Sequence, residues 1–388
     1  MMHVQCCRAH CEGVVTEFKM GEWQVDKLAE RESVNKNVVE WIRNRVISKY
    51  AADISMVLIY GSYVNGTANE ASDVDCYFIP KTPNGYHMGC TFIIQDTGYD
   101  IFPMSWDSVR KLSELRGALL PLIGDAEIIY CHSEEDKLEF ERLRKNMYEN
   151  LRQIEYRNGI IRERFAKVYA VYLELESCCE PVKIRKTAGN MIMMLADIVA
   201  LHHGDYFHFG LKKQYEDLCT KFKDIPREFA EEYDKVIKSS QDEEYRIHCH
   251  NLLMLASEHV GIPIPMKETV LEKVVEKENE VRTDYKWLAG LYEEICSIFQ
   301  KIYVCCKSGN ASLAFLSAVC LQRDLEDAIA FGGRTYDLLS SYQYDHLEKL
   351  AWKAREIERD YVSLLEQAGV RLKKYDSFKE FALQFELA

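Results

Sequence analysis

Two aspartates, Asp73 and Asp75, stand one residue apart at the head of an apolar run, and a third, Asp100, lies in a later one. In an extended strand alternate side chains leave the same face, so Asp73 and Asp75 aim together while Val74 and Cys76 face the other way. Two carboxylates so close repel each other unless a cation sits between them. A hard divalent ion with oxygen ligands, Mg2+, meets that need and commonly arrives with nucleotide phosphates. Upstream, the apolar run 57–60 ends in Gly61 and Ser62. Glycine lets backbone approach a ligand closely, the amides of the turn that follows can cradle phosphate oxygens, and the serine adds a hydroxyl donor. The stretch TFIIQDTGYDIFPMSW reads as a hairpin turning around 95–98, which sets Asp100 in the returning strand within reach of the same face.

The elements that must hold these groups follow from texture. Short apolar runs broken by Gly, Pro and Asn predict strands over 54–60, 73–79, 91–94, 99–104 and 126–131. Val38, Trp41, Ile42, Arg45 and Val46 recur at helical spacing over 34–50, so that helix is expected on one sheet face. From residue 146 the spacing turns helical. Helices are expected over 154–176 and 187–202, the second with Met191, Met194, Leu195, Ile198 and Leu201 along one face as core. Beyond GIPIPMKE come further helices over 287–306 and 342–367. The fold class is therefore α+β, with an N-terminal extension over 1–21, a sheet domain over 22–145, a helical domain over 146–265 and a C-terminal helical domain over 266–388.

Hydrophobic-Gly-Ser, a gap of ten residues, Asp-hydrophobic-Asp and a later strand Asp together resemble the nucleotidyltransferases of the DNA polymerase beta superfamily, through Gly61-Ser62, Asp73-Val74-Asp75 and Asp100. The motif spans 57–103, about an eighth of the chain. The resemblance implies a polymerase-beta-like domain in which Asp73, Asp75 and Asp100 bind two Mg2+ ions. An acceptor hydroxyl would attack the α-phosphorus of ATP or another nucleoside triphosphate, releasing pyrophosphate. Gly61 and Ser62 would orient the leaving phosphates. The helical region looks like the partner domain that closes over nucleotide in small-molecule members. There a lysine commonly meets the β- and γ-phosphates, which makes Lys186, then Lys183, the candidates, with Glu174 and Glu176 as candidate bases.

Composition narrows the acceptor. A net charge of −13 and the lack of a long basic or aromatic tract disfavour nucleic acid. The arrangement resembles aminoglycoside- or lincosamide-type antibiotic nucleotidyltransferases, and acidic walls would suit a cationic acceptor. The same chemistry on protein, on nucleotides as second-messenger synthesis, or in polynucleotide tailing remains the alternative, as does a catalytically silent nucleotide-binding protein. Fourteen scattered cysteines without a secretory signal indicate a reduced cytoplasmic setting, no membrane partner is expected, and a homo-oligomer stays open. His202, His203, His208, His248 and His250 lack zinc-site spacing and are expected as core or surface residues.

Overall fold

The computed structural model describes residues 9–117, 119–222, 224–264 and 283–385, with side chains from Lys27 onward except that of Lys212. The chain opens with the long helix α1 (Ala9–Arg45) and enters strand β1 (Ile54–Tyr60), which is followed by the one-turn helix α2 (Gly61–Val64). Strands β2 (Asp75–Pro80), β3 (Cys90–Ile94) and β4 (Thr97–Pro103) come next, then α3 (Trp106–Ser113), α4 (Pro121–Gly124), β5 (Glu127–Cys131) and α5 (Glu134–Arg152). A helical series follows: α6 (Ile154–Ser177), α7 (Pro181–His202), α8 (Gln214–Thr220), α9 (Arg227–Lys238) and α10 (Asp242–Val260). The last stretch holds α11 (Tyr285–Ser308), α12 (Ala311–Asp327), α13 (Leu347–Gln367), the short strand β6 (Lys374–Tyr375) and α14 (Phe378–Gln384).

The strands form one mixed sheet in the order β5-β1-β2-β4-β3-β6. β1 is antiparallel to β2 and β5, β2 runs parallel to β4, and β6 joins β3 in parallel. Ile94 faces Thr97 across the β3–β4 hairpin, so its turn is only Gln95 and Asp96, with Gln95 at φ +60. Tight hairpins demand such backbone. β2 begins at Asp75, two residues later than its apolar run suggested, which leaves Asp73 on the approach to the strand.

Both faces of the sheet are covered, and strand alternation sorts the side chains between them. Met56 and Leu58 of β1 with Tyr77 and Ile79 of β2 enter the large helical core. Val57, Ile59, Cys76, Phe78, Tyr99 and Ile101 face a smaller core with Val38 and Ile42 of α1, Val46 in the turn that follows it and Phe381 of α14. Because Asp75 is two residues before Tyr77 and Asp100 one after Tyr99, both carboxylates leave the sheet on the helical side.

Several expected boundaries meet continuous structure. Residues 9–21 form the first part of α1, residues 1–8 lie outside the described residues, and α5 runs unbroken across position 145. The boundary expected at 265–266 also falls outside the described residues. The C-terminal stretch is not wholly helical, since β6 adds a strand and α14 packs behind the sheet. α7 starts at Pro181, in keeping with proline's fixed φ at a first helical position, so Lys183 and Lys186 lie within the helix instead of before it. Met191, Leu195, Ile198 and Leu201 are buried there as core. Among the described residues, no helix is long and apolar enough to cross a membrane.

Candidate active site

The end of β1 sets the scene. Tyr60 lies opposite Asp75 in the antiparallel register, and the chain then turns at Gly61, whose φ is +75. A Cβ at Gly61 would lie 1.9 Å from Asp75 Oδ2. Glycine is thus required twice, by a left-handed backbone and by a carboxylate that occupies the place a side chain would take. Ser62 is half-buried beside it.

Across β2 and β4 the parallel pairing matches Cys76 with Ile101. One residue earlier on each strand stand Asp75 and Asp100, neighbours on the same face. Asp73, just outside the ladder, lies within electrostatic reach of both. All three are half-buried. Burial, with the charges of Asp73 and Asp100, pushes the Asp75 carboxyl up to about 7 even though Lys301 pulls the other way. Burial first, then Glu294 and Asp73, raise Asp100 to about 7. Burial also raises Asp73, against the opposing pull of Lys301 and Arg31. The same negative field, added to burial, drives the Tyr60 phenol upward. The cluster is therefore short of positive charge.

A cation on the sheet face is the obvious remedy, and an all-carboxylate donor set suits a hard ion such as Mg2+. Among the described residues no group of three His, Cys, Asp or Glu side chains is gathered around one ion position, so loading would require the carboxylates to rotate.

The helix that overlooks this face is α11, from the last third of the chain. Its approach depends on Gly98, where a Cβ would lie 2.2 Å from the Glu293 carbonyl oxygen and 2.6 Å from Cys296 Sγ. Ser297 Oγ accepts from the Gly98 amide at 3.1 Å and donates to its carbonyl at 3.1 Å. The buried Glu293 carboxylate accepts from Thr91 Oγ1 at 2.7 Å, from the Lys373 amide at 2.7 Å and from Lys373 Nζ at 3.0 Å. Asp284 caps the helix start by accepting from the Lys286 and Trp287 amides, and Gly309 ends it in a left-handed turn. So fixed, α11 presents the exposed Glu294 and Lys301, two turns apart on one side, toward Asp100 and toward Asp73 and Asp75 respectively.

The lysines singled out from sequence are engaged elsewhere. Lys183 Nζ pairs with Glu174 at 3.3 Å, and Lys186 pairs with Glu326 of α12. Glu174 and Glu176 are exposed, and no described interaction joins either lysine or either glutamate to the aspartates. Sequence reasoning missed Lys301, Glu294 and the residues behind Asp73. Lys301 and Glu294 had no signal beyond a seven-residue spacing, which says that they share a helix face but not what that face meets.

Residues 39–154 match the nucleotidyltransferase domain. The matched stretch takes in Gly61, Ser62, Asp73, Asp75 and Asp100, and stops before α7 and α11. Among solved structures, the nucleotidyltransferase-like protein from Exiguobacterium sibiricum 255-15 is similar at 12% identity and a TM-score of 0.35, covering 57% of this chain and 78% of that one. No curated protein matches the chain.

A cleft of about 660 Å3 lies along α11 and α13 where they meet the β3–β4 hairpin, lined by Asp96, Tyr292, Cys296, Arg355, Glu358 and Arg359, but by none of the three aspartates. The histidines take structural roles. His208 sits between Asp125 at 2.9 Å and Asp205 at 3.1 Å, and those hydrogen bonds push it up to about 9. His203 and His259 meet through their Nε2 atoms at 3.2 Å, and burial lowers both.

Proposed function

We propose that this chain transfers a nucleoside monophosphate, AMP from ATP, onto a hydroxyl of a small molecule in an Mg2+-dependent reaction that releases pyrophosphate. The observation that carries the reading is the register that sets Asp75 beside Asp100, with Asp73 in reach, inside a matched nucleotidyltransferase domain.

Bound Mg2+ would supply Lewis-acid neutralisation of the triphosphate and of the attacking oxygen, held by Asp73, Asp75 and Asp100. The chain's own residues do the remainder. Gly61 and the Ser62 hydroxyl face the leaving phosphates at the end of β1. Lys301, which makes no ion pair among the described residues, offers its ammonium to the same phosphates from α11. The acceptor oxygen forms its new bond to the α-phosphorus as the bond to the bridging oxygen of pyrophosphate breaks. Its proton passes to a carboxylate of the cluster, for which Asp100, on the same face as Asp75, is the candidate. Positioning and charge neutralisation carry most of the rate.

The exposed Glu294, with Asp324 within its electrostatic reach, gives the mouth an acidic wall in a chain of net charge −13. That wall favours a cationic acceptor such as an aminoglycoside. The test is incubation of the full chain with Mg2+ and each α-labelled nucleoside triphosphate, with and without an acceptor panel. Label on an aminoglycoside supports the acceptor class. Label on protein, on RNA or in a cyclic nucleotide keeps the chemistry and replaces the acceptor, whereas no label under any condition removes the transferase.

A further inference from the structure

The carboxylates stand on one face of the sheet, but their backbone is tied from the other. Asn35 of α1, with no exposed surface, donates from Nδ2 to the Ser72 carbonyl at 3.0 Å and to the Asp73 carbonyl at 3.5 Å. Its Oδ1 accepts from the Tyr99 hydroxyl at 2.7 Å. Tyr99 directly precedes Asp100, so one buried amide bridges the two segments that carry Asp73 and Asp100.

One helical turn earlier, Arg31 extends the same bridge. Its guanidinium donates to the Glu70 carbonyl at 3.2 Å, to Tyr99 Oη at 3.2 Å and to Gln95 Oε1 at 3.0 Å, tying together the loop before β2, strand β4 and the hairpin turn. Arg31 and Asn35 are buried at the head of the apolar stripe Val34, Val38, Ile42 and Val46, where packing alone would favour hydrocarbon. A buried amide kept at such a place costs stability unless every partner is satisfied, and here its described partners all belong to the segments around the aspartates.

We infer that Asn35, supported by Arg31 and Tyr99, is a positioning residue that sets the separation of Asp73 from Asp100 and so preorganises the cation site from behind the sheet. The inference rests on the reading of the three aspartates as ion ligands. Asp73 needs such help because it lies outside the ladder, where no strand pairing fixes its backbone. Asp75 does not, since register and Gly61 already hold it. Groups that orient ligands in this way typically contribute about 10- to 100-fold to metal affinity or activity.

The test uses the full chain and Mn2+ as the probe, with free ion followed by electron paramagnetic resonance, alongside the Mg2+ concentration at half-maximal label transfer. Asn35→Ala should raise both constants about tenfold or more. Tyr99→Phe, which keeps the ring in place and removes only the hydroxyl, should raise them less. The double variant should fall well short of the product of the two, because both cut one chain of bonds. Asp75→Asn marks the level of a disabled site. Unchanged Mn2+ affinity in both Asn35→Ala and Tyr99→Phe, with only lowered melting temperatures, would reduce the bridge to packing and overturn the inference. Wild-type protein that binds Mn2+ no better than Asp75→Asn would instead remove the ion site itself, and the positioning role with it. Tyr99→Phe decides the matter should Asn35→Ala not fold.

Discussion

The two faces of the sheet are built on opposite terms. Behind it, Phe92 stacks on Phe381 at 4.2 Å and Trp41 meets Phe381 edge-on at 4.7 Å, a dry aromatic contact that joins α1 and α14 to the middle of the sheet. In front, three half-buried carboxylates repel one another and are held above their ordinary range despite the charges of Lys301 and Arg31. The back face satisfies its side chains, while the front holds groups away from their preferred charge state. Sites that must bind a charged ligand commonly show this strain, and the rest of the fold carries it. The division teaches where stability and reactivity can be changed separately.

Phe381→Ala should break the comparison most severely. Removing a fully buried ring costs about 3–5 kcal/mol, and here it also loosens the attachment of α14. Urea unfolding should show that loss, and transfer measured well below the new midpoint should survive, because the ring partners of Phe381, which are Trp41, Phe92, Tyr375, Phe378 and Phe385, include neither a carboxylate of the cluster nor the Asn35 and Arg31 bridge. Loss of transfer without loss of stability would erase the distinction. Asp75→Asn should do the converse. Transfer is expected to fall at least about a hundredfold, as when other preorganised transition-state contacts are deleted. The metal-free protein should melt at a higher temperature, because the substitution removes one of the mutually repelling charges.

How much of this was legible in the sequence depends on where the determinant lies. β1, the β3–β4 hairpin and β5 announce themselves as apolar runs between turn residues, and the spacing of Asp73, Asp75 and Asp100 singles out the carboxylates. β6 does not, because two residues carry no alternation and Lys374–Tyr375 becomes a strand only through the edge that β3 offers it. Lys186 looked like a phosphate ligand because the helix start was drawn after it. With Pro181 as the first residue of α7, its side chain reaches Glu326 instead. Lys301 and Glu294 were hidden because helical periodicity identifies an outward face without naming its neighbour. Asn35 and Arg31 left a faint trace, two polar residues one turn apart at the head of an apolar stripe.

That contrast between lysines supplies the next test. Lys301→Ala should raise KM for the triphosphate about tenfold, in line with the loss of one charge-assisted contact, with a smaller change in kcat. Lys186→Ala should leave KM near that of the wild type, since its ammonium is already held by Glu326. The reverse result would return the phosphate contact to α7 and make α11 a bystander.

The smallest effect is the most specific to the front face, and it is a slope with pH. Asp75 and Asp100 have ordinary carboxyl values near 3.8 when unfolded and are raised to about 7 in the fold. Between those limits the folded chain keeps protons that the unfolded chain has released, so their contribution is fully present below about 3.8 and drains away as pH rises through about 7. His208 behaves alike in a higher window. Its value rises from 6.5 to about 9 between Asp125 and Asp205, so its contribution is whole below 6.5 and lost as pH climbs through about 9. Urea midpoints of chelator-treated protein should therefore decline across both windows. Asp75→Asn with Asp100→Asn should flatten only the lower one, and His208→Gln only the upper. Added Mg2+ should flatten the lower window in wild-type protein by favouring the ionised carboxylates, and should leave the upper window untouched because it belongs to the join between α4 and the loop before α8. A lower slope indifferent to Mg2+ would mean that the front carboxylates are strained for some reason other than to receive a cation.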